Sequence, residues 1–267
     1  VISKSDTEDD FKDMSNSYYF NSPFDLSLNK KVPVKKIKYR ENKIKNLKYG
    51  GYEHNLPYIE SDNLRIQSST YNNFIYLTGV PEYYNSPEKY NVFKNGGCTP
   101  TAVLMMMSYY DRNCAYFSDL YESNLPLKHD EDINRVNSSI KEVGKQLGTS
   151  EENGGTYTDL IAGGINKFLL NNYKDVYMAN RIYNINVNNI CELGLKLIQE
   201  KNVAHLSIGY FNENNVLIPN HSVVLTGYNN VKSLGVIFRV NYGWESRSTY
   251  DLSPKYVYDL TYLYQFK

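Results

Sequence analysis

Cys98 is the residue whose setting most favours covalent chemistry. It lies in the sequence Asn-Gly-Gly-Cys-Thr-Pro-Thr-Ala over residues 95–102, where two glycines permit a positive φ and a close backbone approach. Thr99 and Pro100 are helix-start residues, so the cysteine falls in the first turn of a predicted helix. Unpaired N–H groups and the helix dipole there favour a thiolate and can stabilise an adjacent oxyanion. The pattern predicts a catalytic nucleophile, with a buried structural cysteine as the alternative.

His221 is the first candidate for the base that would activate this cysteine. It opens the run His-Ser-Val-Val-Leu-Thr-Gly-Tyr over residues 221–228, which has the composition of a strand. A histidine at a strand start is anchored on one side and accessible on the other, which suits proton exchange with a nucleophile. An ordinary edge histidine is the alternative. His205, in the apolar run Val-Ala-His-Leu-Ser, is a rival base, although its flanks favour a core histidine.

Asn241 is expected to orient that base. The strand that begins at His221 and the strand over residues 236–241 are joined by a turn, so they should form a hairpin. A register that pairs His221 with Asn241 centres the turn inside the connecting segment and places the two Cβ atoms within about 5 Å. Asn241 would accept a hydrogen bond from one ring nitrogen while the other faces Cys98. Trp244 would shield this contact from water, with an ordinary core tryptophan as the alternative.

Hydrophobic periodicity predicts the elements that must hold these residues. The run after Cys98 is apolar on every face, which is typical of a helix buried all round. Further helices follow, and then the period changes to that of strands. Helices first and strands last indicate an α+β domain with a mostly antiparallel sheet. The predicted ranges are helices over 99–112, 156–171 and 187–201, and strands over 203–211, 221–228, 236–241 and 255–264.

Residues 1–72 differ in pattern from the rest of the chain. An acidic run at 6–13 is followed by a lysine-rich run at 30–48, and apolar residues between them are sparse and aperiodic. This composition predicts an extended arm, a linker or a propeptide that occupies a cleft until it is cleaved. Residues 73–267 are expected to form the folded domain.

Charge and hydropathy exclude some classes of function. The 267 residues include 29 Lys or Arg and 29 Asp or Glu, so the formal net charge is zero. A balanced charge argues against a general nucleic-acid or membrane-surface role, because both need a basic excess. No run of about 18 apolar residues is present, so no membrane span is expected.

The remaining cysteines and histidines do not indicate a metal site. Three cysteines leave at least one free thiol, and their spacing with the four histidines fits no zinc pattern. Cys114 and Cys191 are expected to be structural. The acidic sequence His-Asp-Glu-Asp over residues 129–132 is expected to be a solvated loop, with a cation site as the alternative.

Three motifs in this order resemble those of the papain fold. They are the glycine-preceded Cys-x-Pro-Thr-Ala helix start, the Asn-His-Ser-Val-Val-Leu-Thr-Gly-Tyr strand over 220–228, and Val-Asn-Tyr-Gly-Trp over 240–244. Over about residues 78–267 the chain is similar to the bacteriocin-processing-like (double-glycine-type) cysteine peptidases, and its end motif resembles that of streptopain-like secreted enzymes. The resemblance implies a helical subdomain, an antiparallel β-sheet subdomain and a triad of Cys98, His221 and Asn241.

The resemblance also implies a side-chain oxyanion donor before the nucleophile, usually Gln. In the sequence Val-Pro-Glu-Tyr-Tyr-Asn over residues 80–85, Asn85 takes that place. Its amide can donate the same hydrogen bond but is one methylene shorter. Asn91 and Asn95 are rivals for this role. Thr99 stands where the family usually has Gly after the nucleophile.

These features predict hydrolysis of a peptide bond through a thioester. Cys98 attacks the carbonyl, His221 carries the proton to the leaving amine, and no cofactor is required. The resemblance implies a bacterial enzyme that is secreted or on the cell surface and acts on a protein or peptide. The alternatives are an amidase or acyl transferase on cell-wall peptide, and a catalytically decayed papain-fold binding or adhesion module. The departures at Asn85 and Thr99 alone favour the decayed module.

Overall fold

The protein is described by a computed structural model over residues 19–20, 64–69, 72–85, 92–93, 96–114, 125–152, 154–172, 177–183, 186–231, 235–244 and 247–265. In chain order its elements are β1 (Tyr19–Phe20), β2 (Leu64–Ser69), β3 (Asn72–Leu77), α1 (Cys98–Asn113), α2 (Ile133–Leu147), β4 (Thr156–Tyr157), α3 (Thr158–Asn172), β5 (Tyr177–Tyr183), α4 (Val187–Gln199), β6 (Ala204–Phe211), β7 (Leu217–Val231), β8 (Gly235–Trp244), β9 (Arg247–Leu252) and β10 (Val257–Gln265). Short 3-10 turns lie at His129–Glu131 and Pro254–Tyr256. The acidic and lysine-rich runs near the N-terminus lie outside the described residues.

An eight-stranded antiparallel sheet is the centre of the fold. Its main order is β2-β3-β7-β6-β10-β5, and β8 and β9 continue it from β7. The long strand β7 pairs with β3, β6 and β8. Together with the helices, this sheet confirms the predicted α+β class. Strand β2 belongs to the same sheet, so the sheet begins upstream of residue 73.

Helix α1 is buried on all sides, as its apolar run predicts. Every residue from Cys98 to Asp111 is buried, and the helix packs against β7, β8 and β6. Two tyrosine hydroxyls anchor its C-terminal half: Tyr109 donates to the Lys201 carbonyl oxygen at 2.8 Å, and Tyr110 donates to the Val203 carbonyl oxygen at 2.9 Å. A buried tyrosine hydroxyl needs such a partner. The helix therefore has a fixed position over the sheet.

Helix α2 is a helix that the sequence prediction omits, although its signals are present. Its buried apolar residues recur on one face, and Asp132 caps it by accepting a hydrogen bond from the Arg135 N–H at 3.2 Å. Gly148 ends it in a left-handed conformation, with φ of 70°. The acidic residues over 130–132 are at the surface, as expected of a solvated segment. The segment is a 3-10 turn and a helix cap, however, and His129 is wholly buried.

The register between β7 and β8 also differs from the predicted one. Asn241 pairs with Val224, three residues beyond the expected partner His221. Strand β7 continues to Val231, which pairs with Gly235, so the turn lies further along the chain than predicted. A bulge between Leu225 and Gly227 shifts the ladder as well. His221 lies within β7 and not at its start.

Among the described residues, no helix is both long and apolar enough to cross a membrane.

Strand β1 stands apart from the main sheet and pairs antiparallel with β4. Strand β4 follows directly on Gly154 and Gly155, a segment that contacts the start of α1.

Candidate active site

Two glycine segments build the start of α1. Gly97 caps the helix with φ of 109°, a conformation that favours glycine, and its N–H donates to the Gly154 carbonyl oxygen at 3.0 Å. A Cβ atom on Gly97 would come within 2.7 Å of the Phe93 ring, and one on Gly154 within 2.6 Å of the Gly96 backbone. The close approach of these segments fixes where the first helical residue, Cys98, presents its sulfur.

The sulfur of Cys98 is buried and receives several hydrogen bonds. Donors to it are the backbone N–H of Ser222, the hydroxyl of Thr99 and the first N–H groups of the helix. These contacts lower the pKa of the thiol, but burial outweighs them and raises that pKa to about 11. The resting residue is therefore a thiol at neutral pH, placed where a thiolate would be well solvated by donors.

His221 is held with one ring nitrogen satisfied and the other without a partner. Nε2 donates to the Tyr242 carbonyl oxygen at 2.9 Å, whereas Nδ1 is buried and meets no hydrogen-bond partner among the described residues. The ring also contacts the Tyr242 ring, with centroids 4.5 Å apart, and the Trp244 ring edge-on at 5.8 Å. Burial lowers the pKa of His221 to about 4, and the Tyr242 carbonyl opposes that shift. The neutral ring carries its lone pair on Nδ1.

Asn241 does not hydrogen-bond to His221, contrary to the sequence prediction. Its Nδ2 donates to the Pro81 carbonyl oxygen at 3.0 Å, with both groups buried. The shifted register of β8 accounts for this difference, because Asn241 lies opposite Val224. The backbone of the next residue, Tyr242, makes the contact expected of Asn241. Asn241 instead ties β8 to the segment that carries Asn85.

The structure does bring Asn85 to the start of α1. Assigned from its hydrogen-bond partners, the side-chain amide donates from Nδ2 to the Gly243 carbonyl oxygen at 2.6 Å and accepts at Oδ1 from the Cys98 backbone N–H at 3.3 Å. The Asn85 backbone N–H donates to the same Gly243 oxygen at 3.0 Å. Asn91 and Asn95 lie outside the described residues.

His205 is a core histidine, as its apolar flanks predict. It is wholly buried in β6, and its Nε2 lies 2.9 Å from the Ser222 hydroxyl oxygen. Burial lowers its pKa to about 3, and the charges of Arg181 and His221 add to that shift. The Ser222 oxygen in turn lies 2.8 Å from the Thr99 hydroxyl oxygen. His205 therefore lies beneath the candidate pair, and Ser222 separates it from Thr99.

His129 supports the segment that carries Asn85, a role that the sequence does not indicate. Its Nδ1 accepts from the Tyr84 backbone N–H at 2.9 Å, and its Nε2 donates to Asn137 Oδ1 at 2.9 Å. The Tyr84 ring stacks on it with centroids 6.0 Å apart. A single sequence offers no spacing signal for such a contact, since the partners are 45 residues apart.

The other two cysteines lie away from this site. Cys114 is buried just beyond α1, with its sulfur 4.0 Å from the Tyr177 hydroxyl, and Cys191 lies in α4. All three cysteines fall within described segments, and no disulfide joins any two of them. Within the part of the chain that the structure describes, no three His, Cys, Asp or Glu side chains converge as metal ligands would.

No protein-family model matches the chain, and no curated protein matches it. Among solved structures, it is similar to a fragment of prointerpain A from Prevotella intermedia, residues 39–359, solved as a cysteine-to-alanine mutant. The two share 13% sequence identity with a TM-score of 0.43, and the match covers 74% of this chain and 75% of that chain. The function proposed below therefore rests on the geometry of this chain's own residues.

Proposed function

We propose that the protein is a papain-like cysteine peptidase that hydrolyses a peptide bond through a thioester, with Cys98 as nucleophile and His221 as base. One contact carries the proposal. The Cys98 sulfur, at the start of a buried helix, accepts the backbone N–H of Ser222, the residue that directly follows His221. The candidate nucleophile and base are thus neighbours across α1 and β7, and within the described segments the Nδ1 of the base has no partner.

The reaction uses the tautomer that the structure holds. His221 Nδ1 takes the thiol proton as the sulfur attacks the substrate carbonyl, and the imidazolium then gives that proton to the leaving amine. Water next attacks the thioester with Nδ1 again as base, which regenerates the thiol and releases the carboxylic acid. The Tyr242 carbonyl accepts the Nε2–H throughout, so it orients the ring and stabilises its positive charge.

The oxyanion site is assigned to the Cys98 backbone N–H and the Asn85 side chain. In the resting site these two groups hydrogen-bond to each other. A rotation of the Asn85 side chain that breaks its Nδ2 hydrogen bond to the Gly243 carbonyl oxygen would turn the NH₂ group toward the position that the Cys98 N–H faces. The developing oxyanion would then replace the Asn85 oxygen as acceptor, so the full set of donors forms only with substrate present.

We also propose that residues 1–72 contain an inhibitory segment. Strand β1 pairs with β4, which follows the Gly154 segment bound to Gly97, and β1 also lies against β7. An upstream strand therefore pairs with the strand that follows the glycine segment bound to the start of α1. Mass spectrometry of the active protein should show that Tyr19–Phe20 have been removed by cleavage. Full activity in a form that retains them would contradict this role.

Labelling with an epoxysuccinyl peptide, together with turnover of a fluorogenic peptide library, tests the proposed function. We expect covalent modification at Cys98 alone, and loss of labelling and turnover in both Cys98→Ala and His221→Ala. Cys191→Ala is the matched control, because that partly exposed thiol lies in α4. Equal labelling of all three cysteines, or peptide turnover that persists in Cys98→Ala, would refute the proposal.

A further inference from the structure

Three buried side chains form a connected path behind the candidate nucleophile. His205 Nε2 lies 2.9 Å from Ser222 Oγ, and Ser222 Oγ lies 2.8 Å from Thr99 Oγ1. The Thr99 hydroxyl also hydrogen-bonds the sulfur of Cys98. The relative exposures of Thr99, Ser222 and His205 are 0%, 1% and 0%, so water does not compete for these bonds. Ser222 connects the residue after Cys98 to the sheet.

The direction of these hydrogen bonds follows from the histidine at the end of the path. His205 Nδ1 is buried and has no partner in the described parts of the chain, and an unpaired lone pair costs less than an unpaired N–H. The proton of the neutral ring therefore belongs on Nε2. Nε2–H donates to Ser222, the Ser222 hydroxyl donates to Thr99, and the Thr99 hydroxyl is left to donate to the sulfur. Only this direction presents a donor to a thiolate.

We propose that His205, Ser222 and Thr99 are positioning residues, a hydrogen-bond relay that ends on the Cys98 sulfur and stabilises its thiolate from the side of the sheet. The inference rests on the proposed function, in which that thiolate is the nucleophile. The backbone N–H of Ser222 donates to the same sulfur, so one residue supports it twice. Thr99, a departure from the family pattern, gains a role that a glycine cannot fill.

The groups facing His205 keep its ring neutral. Burial is the main cause, and the charge of Arg181 on β5 and any charge on His221 on β7 add to it. Asp259 on β10 is engaged by Arg181, with Nε to Oδ2 at 2.6 Å. A neutral His205 retains the Nε2 proton that begins the relay across the pH range in which a cysteine nucleophile ionises.

The relay is tested by titrating the Cys98 thiolate of the 267-residue chain through its ultraviolet absorbance, taken as the difference from Cys98→Ala. We expect Thr99→Val to raise the thiol pKa by about one unit, a tenfold loss of thiolate at a given pH, equivalent to about 1.4 kcal/mol. Ser222→Ala shifts it in the same direction, and Thr99→Ser retains the wild-type value. Thr101→Val is the matched control, because that buried hydroxyl on the same helix meets no hydrogen-bond partner among the residues described.

Kinetics and stability separate this inference from the function on which it rests. If the relay operates, Thr99→Val should lower kcat with little change in KM. Thr99→Ser should keep the wild-type kcat, and both variants should have a normal melting temperature. An unchanged thiol pKa in Thr99→Val and Ser222→Ala would overturn the relay, even if Cys98 proves to be the nucleophile. If the thiol pKa rises in Thr99→Val but the unsubstituted protein has no peptidase activity, the relay is supported and the proposed function is refuted.

Discussion

The side-chain oxygen of Asn85 accepts a hydrogen bond from the backbone N–H of Cys98, at 3.3 Å. That N–H is also the main-chain donor that an oxyanion beside the sulfur requires. The resting site therefore satisfies its own donor with a neutral oxygen, which a developing negative charge can displace. The Gly243 carbonyl oxygen accepts from Nδ2 at the other end of the amide, so Asn85 must give up that bond before it can donate to an oxyanion.

Replacing Asn85 tests that exchange. Asn85→Ala removes the side-chain donor, and we expect kcat to fall about 100-fold or more, as when one oxyanion donor is removed elsewhere. Asn85→Gln keeps a reversible amide and should retain most activity, whereas Asn85→Asp can accept from Cys98 but cannot donate. Affinity for a peptide aldehyde, which forms an oxyanion analogue, should fall in parallel with kcat. Equal kcat in the Ala and Gln variants would contradict the assignment.

Asn241 offers a choice between two roles that one substitution distinguishes. If it orients His221, Asn241→Asp should be tolerated, because a carboxylate accepts a ring N–H at least as well as an amide. If it tethers the Pro81 carbonyl, as the structure has it, Asp cannot donate that bond. We expect Asn241→Asp and Asn241→Ala to be similarly damaging, each losing about 1–3 kcal/mol of stability.

The measurements for Asn241 are the free energy of unfolding and the kinetic constants of each variant. The thiol pKa of Cys98 should stay at its wild-type value in both, since neither the sulfur nor His221 loses a partner. A shift of that pKa in Asn241→Ala, with activity retained in Asn241→Asp, would restore the orienting role.

Two buried histidines should make the protein sensitive to acid. Burial lowers the pKa of His221 to about 4 and of His205 to about 3, from an ordinary value of 6.5. At a pH between the folded-state pKa and the ordinary pKa of 6.5, each histidine binds more protons in the unfolded chain than in the folded one. The stability that comes from keeping these rings neutral is therefore complete above pH 6.5 and is lost as the pH falls. At about pH 4.5 each histidine should lower the free energy of unfolding by about 2–3 kcal/mol relative to neutral pH.

Chemical denaturation at several pH values between these limits measures that slope. We expect His221→Gln and His205→Gln each to flatten the dependence of the free energy of unfolding on pH. Thr101→Val, which removes no titratable group, should keep the wild-type slope. A slope that is the same in all four proteins would show that other groups govern acid unfolding.

Gly97 is the glycine that the site depends on for two separate reasons. Its φ of 109° strains any other residue, and a Cβ there would lie 2.7 Å from the Phe93 ring. Gly235 shares only the first reason, with φ of 75° and no described atom within 4 Å of the place that a Cβ would occupy. We expect Gly235→Ala to lose about 1 kcal/mol of unfolding free energy and Gly97→Ala about 2–4 kcal/mol. Similar losses in both would mean that the Phe93 ring moves aside.

The parts of the fold that follow from local pattern can be predicted from the sequence. The apolar run of α1 predicts a helix buried on every side, as observed, and α3 and α4 lie within a few residues of their expected ranges. Helix α2 has a cap, an apolar face and a terminal glycine, so local signals for it exist even though the prediction omits it. Cys98, Asn85 and His221 stand out because their neighbours in sequence have recognisable types.

The register of β7 and β8 cannot be predicted in the same way. Strand length and a bulge decide where the turn falls, and both depend on contacts with other strands. The same limit hides the roles of Tyr242 and Ser222. Tyr242 contacts His221 through a backbone carbonyl, which every residue has. The Ser222 side chain contacts Thr99, which is 123 positions away in the sequence. Residue types in the sequence do not reveal hydrogen bonds of backbone groups or contacts between distant residues.

The contact between Thr99 and Ser222 has a consequence for synthesis of the protein. The two residues are 123 positions apart, and Tyr242, which holds His221, follows that histidine by 21 residues more. Because translation proceeds from the N-terminus and segments fold as they emerge, α1 leaves the ribosome well before its partners. The nascent chain carries an unsupported thiol until β8 has been made. The set of contacts around Cys98 and His221 on which the proposed function rests is therefore completed only when synthesis of the described chain is nearly finished.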